Sequence, residues 1–132
     1  MTVPSQMQRH AGKLRVLITG PAPQANNSLA EWLGEFEGID IIGIKTRMVK
    51  ALVLAEALKP DVVLLDFEME RASALNSVHL FREIEPVPAI VLLAQGVTDV
   101  IRKRCEEKGV TLVCSKTIDL DRLPSILLAL QR

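Results

Sequence analysis

Aromatic side chains and an excess of charge of either sign are what this sequence lacks most. Of its 132 residues 3% are aromatic, none of them Tyr, and 16 Lys and Arg balance 16 Asp and Glu. A chain without surplus positive charge has no long-range field that gathers nucleic acid or anionic lipid. The scarcity of aromatics also removes the stacking platforms that hold single-stranded nucleic acids. We therefore predict that this domain binds neither nucleic acid nor membranes.

Cysteines and long apolar runs are also scarce. Cys105 and Cys114 have no histidine at ligand spacing, which argues against a zinc site and against a disulfide framework. The longest unbroken apolar run, Ala89 to Ala94, is far shorter than the roughly 18 residues that a membrane-spanning helix needs. Residues 1–13 lack the apolar centre of a secretory signal. These features predict a reduced, cytoplasmic protein without a metal site.

Short apolar runs alternate with longer amphipathic stretches from Leu14 onward. Residues 1–13 show no hydrophobic periodicity, so we predict a flexible arm there. Residues 14–132 are predicted to form one α/β domain. Most of the apolar runs are rich in β-branched residues. Their odd and even positions are both apolar, as in strands of parallel sheets that helices cover on both faces. The predicted strands are Leu14 to Thr19, Ile39 to Ile44, Val62 to Asp66, Ala89 to Ala94 and Val110 to Cys114.

Apolar residues recur at helical spacing in the stretches that follow each strand. The fourth helix is expected to turn Val97, Val100, Ile101 and Cys105 inward. Five strands and five helices predict a doubly wound, five-stranded parallel sheet. The expected helix limits are an N-cap at Asn26, Asn27 or Ser28, a stop at Lys59 and Pro60, residues 73–83 for the third helix, a stop at Gly109 for the fourth, and residues 120–130 after a cap at Asp119 for the fifth.

Such a sheet places its binding crevice at the carboxyl ends of its strands, and two charged residues stand there. Asp66 ends the segment Pro60 to Asp66, whose strand residues before it are apolar, so the strand delivers a carboxylate to the rim of the sheet. Lys116 follows the fifth strand and could face that carboxylate. Within about 4–6 Å, the two groups would hold each other charged.

The segment from Pro60 to Asp66, together with Lys116 and the alternation from Leu14 to Leu130, resembles the receiver domain of two-component response regulators. The resemblance implies a flavodoxin-like (βα)5 fold with strand order 2-1-3-4-5. It places Asp66 at the phosphoacceptor position and Lys116 at the position that contacts the phosphoryl oxygens. It also implies bacterial-type signalling, no enzymatic activity, and a histidine kinase, a downstream effector or a second copy as partner.

Four positions depart from the pattern of that family. Gly20 and Pro21 stand where receivers carry the acidic pair that holds Mg²⁺, so we expect Mg²⁺ binding to be weak or absent and no other cofactor. Leu93 replaces the family's hydroxyl residue, and its side chain cannot make the hydrogen bond of that relay. Val113 replaces the switch Tyr or Phe of the fifth strand.

Three further positions bear on this site. Thr117 stands where a proline often follows the family's lysine. Glu68 and Glu70 come soon after Asp66, but their spacing gives no reason to expect either as a replacement metal ligand. Asp66 also has a purely structural interpretation, as a carboxylate that pairs with Lys116 at the rim of the sheet.

The departures favour a degenerate receiver that acts mainly through phosphorylation-independent protein binding. By resemblance, its partner face comprises the fourth helix, the fifth strand and the fifth helix. Two alternatives stay open: a receiver that accepts phosphate on Asp66 through an altered metal site, and a flavodoxin-like protein that binds a small ligand or cofactor. The charged residues of the expected partner face are Arg102, Lys103, Glu106 and Arg122.

Overall fold

Five parallel strands form one sheet in the order β2-β1-β3-β4-β5. The structure is a computed structural model that describes residues 12–66 and 72–131, with the backbone alone for 72–74. The observed order confirms the predicted one. Residues 1–11 of the predicted arm, Glu68 and Glu70 lie outside the described residues. The strands are β1 (Leu14–Thr19), β2 (Ile39–Lys45), β3 (Val62–Asp66), β4 (Ala89–Ala94) and β5 (Leu112–Ser115).

Helices cover both faces of the sheet and bury one apolar cluster on each. Alanines of α2, Phe81 of α3 and Cys105 of α4 contribute to the first cluster. Leucines of α1 and α5 contribute to the second. Among the described helices, none combines the length and the apolar character that crossing a membrane requires. The helices are α1 (Pro23–Gly34), α2 (Met48–Leu58), α3 (Val78–Phe81), α4 (Asp99–Glu107) and α5 (Leu123–Leu128), with 3₁₀ turns at Ala72–Ser77 and Leu120–Arg122.

The limits of β2 and β5 and the start of α1 differ from those predicted. β2 runs on to Lys45. β5 begins at Leu112 instead of Val110, because the Val110 amide donates to the Cys105 carbonyl at the end of α4. The predicted N-cap of α1 at Asn26, Asn27 or Ser28 is wrong. That helix starts at Pro23, since a proline in the first turn loses no intrahelical hydrogen bond.

The third and fifth helices are shorter than predicted. Residues 73–83 divide between a 3₁₀ turn and the brief α3. Residues 120–130 divide between another 3₁₀ turn and α5, which has Pro124 in its first turn. Asp119 occupies the N-cap position before the turn at Leu120, as predicted, but its side chain makes no capping hydrogen bond. Its carboxylate accepts the Ser115 amide at 2.8 Å instead.

The fourth helix ends near Gly109, as predicted, but fewer of its residues face the core than predicted. Gly109 has a φ of +106°, which ends the helix. Val100, predicted to point inward, is 71% exposed. Ile101 packs on the core and Cys105 is buried four residues later, whereas Val100 is rotated by about 100° from Ile101 around the helix axis.

The end of α2 provides a test of backbone strain. Lys59 closes this helix in the left-handed region, with a φ of +52°, where a side chain costs roughly 1–2 kcal/mol. Arg15 donates to the Lys59 carbonyl at 2.8 Å, a contact that glycine retains. We expect Lys59→Gly to raise the free energy of unfolding by about 0.5–1 kcal/mol in urea titrations. Lys103→Gly, in the exposed interior of α4, should lower it by about 1 kcal/mol. A Lys59→Gly variant less stable than the wild type would contradict this.

Candidate functional site

Asp66 and Lys116 meet at the carboxyl edge of the sheet. β3 ends with Asp66, and the Lys116 amide donates to the Ala94 carbonyl at 2.8 Å, which continues the β4–β5 pairing. Asp66 Oδ1 lies 2.6 Å from Lys116 Nζ, with side chains that are 8% and 24% exposed. The contact lies outside regular hydrogen-bond geometry. Charge attraction across the end of β4 therefore holds the pair together.

The turn after β5 fixes the backbone that carries Lys116. Ser115 Oγ accepts hydrogen bonds from the amides of Thr117 and Ile118, each at 3.2 Å. A proline in place of Thr117 has no amide hydrogen and could not make the first of these. The hydrogen bond from the Ser115 amide, followed by the Arg122 guanidinium, holds the pKa of the Asp119 carboxyl below its ordinary value. This turn therefore anchors Lys116 with polar groups of its own.

Gly20 fits tightly against the backbone of Asp66. It is buried at the end of β1, whereas Pro21 is exposed. A Cβ added to Gly20 would lie 2.5 Å from the Asp66 carbonyl oxygen and 2.8 Å from Asn26 Oδ1. Both atoms are too close for any side chain. Position 20 therefore cannot hold a carboxylate unless the end of β3 or α1 moves.

Asn26 occupies the space beside Gly20, a role that its predicted position as a helix N-cap does not include. It is fully buried, and its Nδ2 donates to the Gly20 carbonyl at 2.8 Å. Its Oδ1 and Thr19 Oγ1 are buried and have no hydrogen-bond partner among the described residues. The spacing of Asn26, Leu29 and Leu33 indicates a single buried stripe on α1. That pattern could have identified Asn26 as an inward-facing polar residue.

Leu93 and Val113 are packing residues on opposite faces of the sheet. Leu93 pairs with Asp66 in the β3–β4 register, is 2% exposed and belongs to the cluster under α1 and α5. Val113 is 4% exposed and belongs to the cluster under α2, α3 and α4. Each therefore fills core volume next to the site and offers no polar group to it.

The four charged residues of the expected partner face have different environments. Lys103 and Glu106 are exposed on α4. Arg102 is half-buried and donates to the Val113 carbonyl, so it ties α4 to β5. Arg122 is 67% exposed and contacts Asp119 at 2.8 Å. Lys103 and Glu106 are thus free to meet another molecule, whereas Arg102 has a structural role.

The described donor atoms near Asp66 do not match those that Mg²⁺ prefers. This ion takes oxygen ligands in octahedral geometry, with carboxylates among them. Gly20 and Pro21 supply none from their side chains, and Asp66 already faces an ammonium group. Within residues 12–66 and 72–131, no three His, Cys, Asp or Glu side chains cluster in a way that could hold a metal ion.

Similarity to curated proteins covers the whole chain. No family model matches it. The transcriptional regulatory protein PdtaR of Mycobacterium tuberculosis is 32% identical over 133 residues, which is 100% of this chain and 64% of PdtaR. A response regulatory protein of Yersinia pestis is 31% identical over 90% of this chain and 49% of that protein. The chain therefore spans less than two thirds of each of these relatives.

Solved structures share the fold at lower identity. The signal receiver domain of NarL from Mycobacterium tuberculosis superposes with a TM-score of 0.74 at 21% identity, covering 89% of this chain and 95% of that one. The receiver domain of RcsB from Salmonella enterica serovar Typhimurium gives 0.76 at 17% identity, covering 91% and 89%. These two comparisons show a common fold.

Proposed function

Given that the chain is a receiver domain of the two-component response regulator kind, we propose that it is a degenerate one that signals mainly through phosphorylation-independent protein binding. The observation that carries the proposal is the packing of Gly20 against the Asp66 carbonyl. A position that receivers use for a metal-binding carboxylate is closed here to any side chain.

The charge balance around Asp66 supports the same proposal. Phosphoryl transfer to a carboxylate needs a metal ion that neutralises the charge developing on the phosphoryl oxygens. In the described part of the site, Lys116 supplies positive charge, but it already neutralises Asp66 at 2.6 Å. The neutral Asn26 amide lies next to position 20. We therefore propose that Mg²⁺ binds weakly or not at all and that Asp66 is a poor acceptor.

The proposed output is contact with another signalling protein, either a histidine kinase or a downstream effector, without enzymatic activity in this domain. Exposed charges of both signs on α4, at Lys103 and Glu106, offer electrostatic specificity to such a partner. The Arg102 hydrogen bond to the Val113 carbonyl ties α4 to β5, which supports a partner face that needs no modification to form.

A phosphorylation assay tests the proposal directly. We expect the wild type, incubated with Mg²⁺ and acetyl phosphate, to show no added phosphoryl mass by intact-protein mass spectrometry. Asp66→Asn identifies adducts at other residues, and a phosphorylatable receiver in the same reaction verifies the donor. A phosphoryl mass on the wild type that is missing from Asp66→Asn would refute the proposal.

The same protein samples can be used to measure Mg²⁺ binding and to capture partner proteins. In calorimetric titrations with Mg²⁺ we expect no saturable heat at millimolar concentrations. Saturable binding that Glu68→Gln or Glu70→Gln abolishes would show that one of these residues replaces the missing acidic pair. Partners captured with the wild type and with Asp66→Asn, each with acetyl phosphate, should be the same proteins.

The retained contact between Asp66 and Lys116 favours one alternative, a receiver that accepts phosphate on Asp66 through an altered metal site. The assay above decides between the two. The flavodoxin-like ligand-binding alternative has weaker support. Among the described residues, a cavity of about 70 Å³ lies at the edge of the sheet opposite Asp66, lined by Asp61, Pro86 and Leu130 among others. This volume is small for a cofactor, because cofactor pockets are usually about 300 Å³ or larger.

A further inference from the structure

The end of α1 and the turn that follows it form an acidic surface. From Glu31 to Glu37 the sequence has three acidic residues and no basic one. Glu31, Glu35 and Glu37 are all exposed, and none of them forms an ion pair with a described residue. We call these three residues, together with Phe36, the acidic surface. Its negative charge is therefore open to a cation from elsewhere.

Phe36 adds an aromatic ring to the acidic surface. It is 36% exposed and meets Trp32 edge to face, with ring centroids 5.8 Å apart. The face of an aromatic ring attracts cations, and carboxylates accept strong charge-assisted hydrogen bonds from arginine. A ring flanked in sequence by two carboxylates therefore suits an arginine of a basic segment.

Residues 1–11 have the charge that complements this surface. They include Arg9 and His10 and contain no acidic residue, and Lys13 follows soon after. The chain as a whole is neutral, so this separation of charge is a local property of its first residues and of α1. Opposite charges of this kind select one surface over another.

Two hydrogen bonds hold the residues that follow 1–11 next to the acidic surface. The Leu14 amide donates at 2.7 Å to the carbonyl of Gly38, the residue directly after that surface. Gln131 Nε2 donates to the Gly12 carbonyl at 2.9 Å. Arg9 is three residues away from Gly12, so their Cα atoms can be no more than about 11 Å apart. The long arginine side chain can therefore reach the end of α1.

We propose that residues 1–11 dock on the acidic surface of their own chain, with Arg9 against Phe36 and its neighbouring carboxylates. Exposed ion pairs are weak one by one, so a separate basic peptide would bind poorly. A short tether instead gives an effective concentration in the millimolar range, which selects the chain's own segment as the occupant. The acidic surface lies at the edge of the sheet opposite Asp66, so this docking goes beyond the proposed function and does not depend on it.

Trp32, the only tryptophan of the chain, reports the docking through its fluorescence. A nitroxide attached to Gln8→Cys quenches indole emission only at short range. The natural thiols do not compete for the label, because Cys105 and Cys114 are buried and burial raises the pKa of both. Relative to the same sample with its nitroxide reduced, we expect emission to fall at least about twofold. In about 1 M NaCl, which screens exposed charges, most of it should return.

Charge reversal tests whether the acidic surface holds the segment. In the labelled protein, Glu35→Lys/Glu37→Lys should restore most of the emission, since Arg9 then meets like charge. Adding Arg9→Glu to that variant should bring the quenching back. Glu56→Lys/Glu107→Lys makes the same change in charge at exposed positions of α2 and α4 and should leave the quenching as it is. Thermal melts establish that all variants are folded.

A mixing experiment separates docking within one chain from binding to a second copy. Labelled Gln8→Cys/Trp32→Phe, mixed with unlabelled wild type, has the nitroxide and the tryptophan on different chains, and we expect no quenching. Quenching in this mixture would overturn the proposal. It would also be overturned if neither salt nor Glu35→Lys/Glu37→Lys changed the emission of the labelled protein, or if Glu56→Lys/Glu107→Lys changed it equally.

Discussion

Gly20→Asp, which places a carboxylate where the resemblance to receivers implies an acidic residue, is expected to lower the free energy of unfolding by about 2–3 kcal/mol. The new Cβ would lie 2.5 Å from a backbone carbonyl oxygen, and backbone cannot yield as the tip of a side chain does. The added carboxylate would also stand beside buried Asp66, where like charges repel. We expect Mg²⁺ binding to stay weak, because the strain opposes the geometry that the ion needs.

Denaturant unfolding measures this effect, and two variants separate its causes. Gly20→Ala adds the Cβ without a charge and should account for most of the loss. Pro21→Asp adds a carboxylate one residue later at an exposed position, where we expect a change of less than about 1 kcal/mol. Equal stability of Gly20→Asp and the wild type, or tight Mg²⁺ binding by Gly20→Asp, would show that position 20 has room for the family's residue.

Lys116→Met should destabilise the protein by about 2–3 kcal/mol, because it leaves a largely buried carboxylate without its partner. Asp66 is 8% exposed and Lys116 is 24% exposed, so the two halves of the pair are not equivalent. In Asp66→Asn the lysine can turn its ammonium group toward water. For that variant we expect a loss of about 1 kcal/mol.

A double-mutant cycle isolates the interaction. Asp66→Asn/Lys116→Met should lose less stability than the two single variants together, with a coupling of about 1–2 kcal/mol. Arg122→Met breaks the exposed contact with Asp119 and should cost less than about 1 kcal/mol. If Lys116→Met were as mild as Arg122→Met, the charge contact at Asp66 would contribute little to the fold.

These predictions rest on the close packing of the residues around Asp66. Position 20 excludes a side chain, and Asn26 donates to its carbonyl. Leu93 fills the core beside Asp66. Asp66 and Lys116 place one charge of each sign at this edge of the sheet, so their charges cancel. Under the proposed function, the partner surface next to this edge is preformed, which lowers the free-energy cost of binding.

Local pattern predicted the sheet well because a buried parallel strand leaves its signal within a few consecutive residues. β1, β3 and β4 have the limits that their apolar runs indicate. Short helices carry a weaker signal, since a few turns depend on tertiary packing more than on propensity. For that reason α3 and α5 are shorter than their periodicity suggested, and Val100 is exposed where burial was expected.

The sequence by itself determined the strands, the chain's likeness to receivers, and the charged residues that end or follow β3 and β5. The tertiary structure decided that Asp66 and Lys116 touch, that position 20 is closed and that Asn26 is buried beside it. The physical reason is distance along the chain. Strand periodicity is a property of neighbours, whereas β1, α1, β3 and β5 are brought to one edge only by the pairing of the whole sheet.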